Sequence, residues 1–386
     1  MIAAFLRFSA FMLGAIVVAA ITYFWLDARL LRSTAFGKNW ERRLRRLLVV
    51  LSTFLPLGML QLLFFRECPR TLATPLMWLA FGWIGILFFL LVALIVAELP
   101  LRVAYHFAPA RRTFFSRVGA AFAAVAAASC SALGLHEALG GFMVRQVRLS
   151  LRNLPARPDG KPYRLVQLSD LHVSAQIGGD FVREVVERTN ALTPDGIVIT
   201  GDLVDGGIPE LGPHLEPLRD LRAPDGIFAV TGNHEYLSGA DEWIAFFQSL
   251  GLRILRNELV ELPYFDLAGI DDDVGPSWLP HHGPNLSKAL ANRTRNHPVV
   301  LLAHRPTQLP NAAEHDVDLQ LSGHTHGGQI KPLHLLESPY IWGLYQLKKT
   351  VLYVSAGTGY WGPPMRLGTR AEITLFEFVP SEEQGA

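Results

Sequence analysis

Cysteine is almost absent from this chain: Cys68 and Cys130 are the whole complement, and none follows Gly141. The part after Gly141 therefore uses neither disulfides nor thiolate metal ligands. A surplus of charge is missing as well. The formal net charge is +1, which gives no reason to expect a nucleic acid or another polyanion as partner. Internal repeats and low-complexity tracts are also lacking, so a solenoid is excluded and the length of 386 residues suits two units.

What is abundant is apolar surface, at 50% of residues, and it is concentrated at the front. Residues 8–26, 47–65, 71–97 and 118–135 each run for at least 18 residues without a charge. A bilayer core takes about 20 apolar residues as helix. Four buried core helices would be the bland alternative, but four such runs within 140 residues predict a transmembrane region, 1–142, with spans at about 8–26, 47–65, 74–97 and 118–138. Connector 27–46 carries seven Lys/Arg and connector 98–117 four, against two in 66–75. The positive-inside rule makes the first and third connectors cytoplasmic and places the C-terminal domain of this inner-membrane, multi-pass protein outside the cytoplasm. Arg145, Arg148, Arg152, Arg157 and Lys161 pull the other way. They belong to 143–162, which reads as a juxtamembrane linker, either solvated or lying against anionic headgroups.

From Tyr163 to about residue 380 strand-like and helix-like runs alternate, the pattern of an α/β layered domain. Five strand-like runs end in metal-ligand residue types. They lead into Asp170-Leu171-His172, Gly201-Asp202-Leu203-Val204-Asp205, Gly232-Asn233-His234-Glu235, His304, and Gly323-His324-Thr325-His326. Strand C-terminal ends are where open α/β sheets place ligands. Asp-x-His by itself is weak. Together, Asp170, His172, Asp202, Asn233, His304, His324 and His326 exceed what one tetrahedral ion needs and suit two ions sharing a carboxylate. Mixed imidazole and carboxylate ligation fits Mn, Fe, Zn, Co or Ni better than Mg or Ca.

In that order, with intervals of 32, 31, 71 and 20 residues between Asp170, Asp202, Asn233, His304 and His324, the five motifs resemble those of the calcineurin-like metallophosphoesterases. The chain is similar to a membrane-tethered subgroup of that superfamily. The resemblance covers roughly residues 160–380 and implies a four-layer α/β sandwich, two packed sheets flanked by helices. It implies that Asp170, His172 and His326 bind a first divalent ion, that Asn233, His304 and His324 bind a second, and that Asp202 bridges them. His234 would face the substrate phosphate as general acid, and Asp205 would hold its ring. The activity implied is in-line attack on phosphorus by a metal-bridging hydroxide. A tether favours a lipid-linked phosphoester or pyrophosphate; the subgroup is linked to UDP-2,3-diacylglucosamine in lipid A biosynthesis, a cytoplasmic-face substrate that conflicts with the topology above. Arg366 is a candidate for substrate phosphate. Two alternatives are a nuclease of the same superfamily, which near-neutral charge disfavours, and a non-catalytic receptor or scaffold with a relic metal site, which the complete ligand set disfavours.

Elsewhere, His281 and His282 read as a polar loop, Asp271-Asp272-Asp273 as a turn, and His136 and Glu137 as the interfacial end of the fourth span. Tyr340-Ile341-Trp342-Gly343-Leu344-Tyr345 reads as sheet or core, with a lipid-facing surface as the alternative.

Overall fold

The computed structural model describes residues 17, 19–32, 37–64, 70–107, 109–291, 293, 296–332 and 338–381. The chain divides into two compact units: the described residues up to Leu139 with Gly362–Met365, and Gly140–Trp361 with Arg366 onward.

The first unit is helical. Among the described residues two helices are long and apolar enough to cross a membrane, one ending at His106 and one at Leu139, and both start with arginine: Arg70–His106 and Arg112–Leu139. They carry the expected spans 74–97 and 118–138. The expected span 47–65 falls on the helix Lys38–Phe64, and most of the span 8–26 lies outside the described residues. Four crossings are thus an expectation of which two are seen as such helices. Small residues line the buried side of the last helix, at Ser116, Gly119, Ala123, Ala127, Ser131 and Gly134, and the Leu101 side chain fills the space that a Cβ at Gly119 would take. The polar ends are paired: Arg29 Nη2 lies 2.6 Å from Glu98 Oε1, and Arg45 Nε 2.6 Å from Asp27 Oδ1.

In the second unit two six-stranded mixed sheets carry the fold. The first has the order β1-β12-β2-β3-β4-β5 and the second β10-β11-β9-β8-β7-β6. In chain order β1 is Met143–Leu151, β2 Tyr163–Leu168, β3 Gly196–Ile199, β4 Ile227–Ala229, β5 Arg253–Ile254 and β6 Glu258–Glu261. They are followed by β7 Asp266–Gly269, β8 Val299–Leu302, β9 Leu319–Ser322, β10 Gly343–Leu347, β11 Thr350–Val354 and β12 Glu372–Pro380. β2 through β5 run parallel to one another, as do β7, β8, β9 and β11.

Strand alternation sorts the apolar side chains into layers. Leu165, Val198, Phe228, Val300, Leu302, Leu319 and Phe376 come from both sheets and share one buried cluster, so the sheets pack face to face. Their neighbours Val166, Leu168, Ile197 and Ile199 point the other way, against Val182, Val185 and Val186 of the helix Gly179–Ala191 and Trp243 and Phe247 of Ala240–Ser249. On the far side of the second sheet Ala268, Val299 and Leu301 pack with Leu286, Ala289 and Ala312 from short helices. The expected four layers are present: helix, sheet, sheet, helix.

The linker expectation for 143–162 is corrected. Its first nine residues form β1, paired in parallel register with β12 from Met143–Glu372 to Leu151–Pro380. Val147 and Leu151 face the intersheet core. Three of its arginines are engaged within the domain: the guanidinium of Arg145 lies 4.4 Å from the Trp342 ring centroid, Arg152 Nη2 2.9 Å from Asp318 and Arg157 Nη1 2.7 Å from Asp195.

Candidate metal centre

β2, β3 and β4 of the first sheet and β8 and β9 of the second end side by side, each followed by a motif residue. Main-chain bonds stitch the loops together, Asp170 N–H to Gly201 O, His172 N–H to Asp202 O and Gly323 N–H to His304 O. Bonds also cross between the sheets, among them Gln167 Nε2 donating to Ser322 O at 3.0 Å and His304 Nδ1 to Thr200 O at 2.7 Å.

The turns are sharp. Asp170, His172, Asp202, His324 and His326 all have positive φ, between 48° and 74°. Non-glycine residues avoid this left-handed region, at a cost of order 1 kcal/mol or more each, unless the surroundings impose it. Five of the seven expected ligands hold that conformation, so the fold strains its backbone where those side chains must converge. Gly201, at φ +89°, allows a close approach of backbone to backbone, since a Cβ there would sit 2.6 Å from Gly232 N and 2.8 Å from His304 Nδ1.

The side chains do converge. His172 Nε2 and His326 Nε2 are 3.0 Å apart, with Asp170 Oδ1 3.7 Å from the latter. Around His304 Nε2 lie Asp202 Oδ2 at 3.1 Å, Asn233 Oδ1 at 3.2 Å and His324 Nδ1 at 3.2 Å. Asp202 Oδ2 is also 3.8 Å from His172 Nε2, so this one oxygen faces both groups. Asp170, His172 and His326 form one set of donor atoms that could hold an ion, and Asp202, His304 and His324 another. Two ligands at about 2.0–2.2 Å from one ion lie about 3.0–3.5 Å apart, which matches the nitrogen pairs here. The donor set fits divalent cations.

Proton positions follow from the outer bonds. Asp205 accepts from His172 Nδ1 at 3.0 Å and from His234 Nδ1 at 2.6 Å, which turns the Nε2 of both rings inward. Burial and the neighbouring His304 push His324 down to about 3, and burial with His172 and Arg366 holds His326 well below the usual range. Both rings are therefore neutral, the form that binds metal. Burial opposes charge on His304, but Asp202 outweighs it and raises that ring to about 10. For His234, burial is likewise outweighed by Asp202 and Asp205, and its value rises to about 9. Burial pushes the Asp202 carboxyl up, yet His304 and His234 hold it well below the carboxylate range.

Several supports had no role assigned from sequence. Glu235 accepts from the backbone N–H groups of Gly232, Leu203 and Asp202 at 2.7, 2.7 and 3.0 Å, tying two motif loops together. Its position three residues after the N-cap Gly232, at the start of the helix Asn233–Ser238, lets the carboxylate reach back to the N-cap N–H, the glutamate half of a capping box and the signal that could have found it. Ser169 Oγ donates to Asp170 Oδ2 and accepts from Thr200 Oγ1 at 2.7 Å. Arg366 is placed differently from expectation. Its side chain is fully buried and donates to Gly359 O, Ala356 O and, at 3.1 Å, His326 O, so it braces the His326 loop instead of facing a substrate. Asp271 and Asp272 lead into a turn at Asp273, and both are buried in ion pairs, with Arg256 at 2.7 Å and Arg305 at 3.0 Å. His282 is buried against Tyr236 and Asp241.

The sequence profile of the calcineurin-like phosphoesterases matches residues 163–328. A Helicobacter pylori protein named uncharacterized metallophosphoesterase is 38% identical over 255 residues, 65% of this chain and 67% of that protein. The chain belongs to the calcineurin-like metallophosphoesterase family. A Bacillus subtilis metallophosphoesterase, YkuE, is 30% identical over 69% of this chain and 96% of its own length. A Bos taurus protein named transmembrane protein with metallophosphoesterase domain is 40% identical over 262 residues, 63% of this chain and 59% of that protein. The names of these relatives specify no substrate. The metallophosphoesterase match ends at Gly328, before Trp361 and Arg366 and before β10 to β12.

Proposed function

We propose that the protein is a membrane-anchored hydrolase of phosphoesters that works with two divalent ions. The observation that carries this reading is the meeting of His172 Nε2 with His326 Nε2 at 3.0 Å, and of His304 Nε2 with Asp202, Asn233 and His324 within 3.2 Å. Asp170, His172 and His326 would hold one ion and Asn233, His304 and His324 the other, with Asp202 shared. When bound, such ions supply a nucleophile at neutral pH and positive charge for phosphate oxygens.

The residues of the chain do the rest. His234, with Nδ1 committed to Asp205, presents Nε2–H toward the site, 4.0 Å from Asp202 Oδ2. A value near 9 keeps it protonated at neutral pH, so it can donate that proton to the departing oxygen. Asp205 holds the ring in the productive tautomer and offsets its charge. Asp170 is fixed by Ser169 Oγ and by His324 N–H, the latter at 3.0 Å.

Anchoring is supported by the two apolar helices, and it favours a substrate that resides in the bilayer. Positive-inside reasoning supports an extracytoplasmic domain, and three of the basic residues that argued otherwise, Arg145, Arg152 and Arg157, are occupied inside the domain. On that side a lipid-linked phosphoester is the substrate class; UDP-2,3-diacylglucosamine would require the opposite orientation. The test uses full-length protein in detergent with bis-p-nitrophenyl phosphate. Hydrolysis with Mn, its abolition by chelator and a stoichiometry of two ions that Asp202→Ala reduces are expected. No hydrolysis with Mn, Fe, Zn, Co or Ni would refute the reading.

A further inference from the structure

Trp361 lies beside His234. Its ring centroid is 5.4 Å from that of the imidazole, at an interplanar angle of 68°, an edge-to-face contact. His234 itself is buried, whereas Trp361 keeps 37% of its surface exposed. The indole therefore reaches from the proton donor to solvent. Its backbone is clamped from both directions by one side chain: Gln329 Nε2 donates to Trp361 O at 2.8 Å, and Trp361 N–H to Gln329 Oε1 at 3.0 Å. Gln329 follows His326-Gly327-Gly328, and Arg366 ties His326 O to Gly359 O, so Trp361 is fixed to the loop that bears a candidate ligand. Three residues along the helix from His234, on the same face, Leu237 is 38% exposed.

Asp202, Asp205 and His172 also lie against His234, all acidic or basic and all turned inward. What the site offers beyond them is an aromatic face. A tryptophan held rigid and left wet beside an acid gains most when an apolar group covers it.

We propose that Trp361 forms a subsite for an apolar or aromatic group on the leaving side of the phosphoester. This rests on the reading of His234 as the group facing the departing oxygen. The phosphate end of the substrate is held by the metal centre, and the Trp361 face selects what is attached to it. Esters with small hydrophilic alcohols gain nothing from the indole and bind by the phosphate end alone.

The test measures equilibrium binding on full-length, Mn-loaded protein by calorimetry, with inorganic phosphate and phenylphosphonate as probes. Wild type should bind phenylphosphonate more tightly than phosphate. Trp361→Ala should weaken phenylphosphonate by about tenfold, the scale of one aromatic contact, with the phosphate Kd and metal content unchanged. Trp361→Phe, which keeps a ring, should retain most of the preference and guards against a folding defect in the alanine variant. Equal affinity of wild type for the two probes, or an equal loss of both in Trp361→Ala and Trp361→Phe, would overturn the subsite. Because no turnover is needed, absence of hydrolysis would count against the hydrolase reading and leave this measurement standing.

Discussion

Asp205 accepts from two imidazoles, and losing it should differ from losing either ring. His234→Ala removes the proton donor but no ligand, so turnover should fall about 10²–10⁴-fold with metal content intact. Asp205→Asn frees both His234 and His172, and an outer-shell partner of this kind is worth about 10–100-fold in metal affinity. Activity and bound metal measured together distinguish the two; normal metal affinity in Asp205→Asn would show that His172 needs no such brace. Protons also compete with metal. His304 lies near 10 in the metal-free protein, so at neutral pH it carries a proton that an incoming ion must displace. Metal affinity should therefore rise with pH toward about 10, by about tenfold per unit for one displaced proton. A flat titration between pH 6 and 9, on the order of the accessible range, would mean His304 is already neutral. His324 and His326, held low by burial, add no such dependence in that range.

At the scale of elements, β1 is the feature that sequence reading missed. Its inward positions alternate from Met143 through Arg145, Val147 and Leu149 to Leu151, but a charged residue among them breaks the apolar signal. Only the fold reveals why Arg145 is tolerated: it lies over Trp342, nearly two hundred residues away in sequence. β1 covers the edge of β12 and contributes Val147 and Leu151 to the intersheet core. A soluble fragment spanning 141–381 should fold, whereas one spanning 153–381 should aggregate, because the open β12 edge and the uncovered core face invite intermolecular pairing. Comparable melting curves for the two would show that β1 is dispensable. The motif strands were legible for the opposite reason. β2, β3, β8 and β9 are short and largely buried on both faces, β3 and β8 continuously apolar, and each leads within three residues into an Asp or His in the chain order that the family shares.

For the molecule as a whole, the helical unit carries its own clue to orientation. Arg29, in the connector 27–46, pairs with Glu98 at the start of the connector 98–117. The two connectors rich in basic residues thus meet at one end of that unit, as two loops on the same side of a membrane would. If that side is cytoplasmic, a C-terminal reporter active only in the periplasm should be active, and a cysteine introduced at the exposed Asp180 should react with an impermeant thiol reagent in intact cells. Reaction only after lysis would reverse the orientation and bring nucleotide-linked substrates into reach.

The sequence by itself determined the division into an apolar front and an α/β domain, the family, and which seven side chains would gather, because strand ends, residue types and their order are local properties. The tertiary structure alone decided what surrounds them. Which rings share Asp205, that Arg366 braces a loop, that Glu235 knits two motifs and that Trp361 stands against His234 all depend on contacts between residues distant in the chain. No periodicity encodes such contacts; they arise when two sheets close face to face and bring five loops to one end.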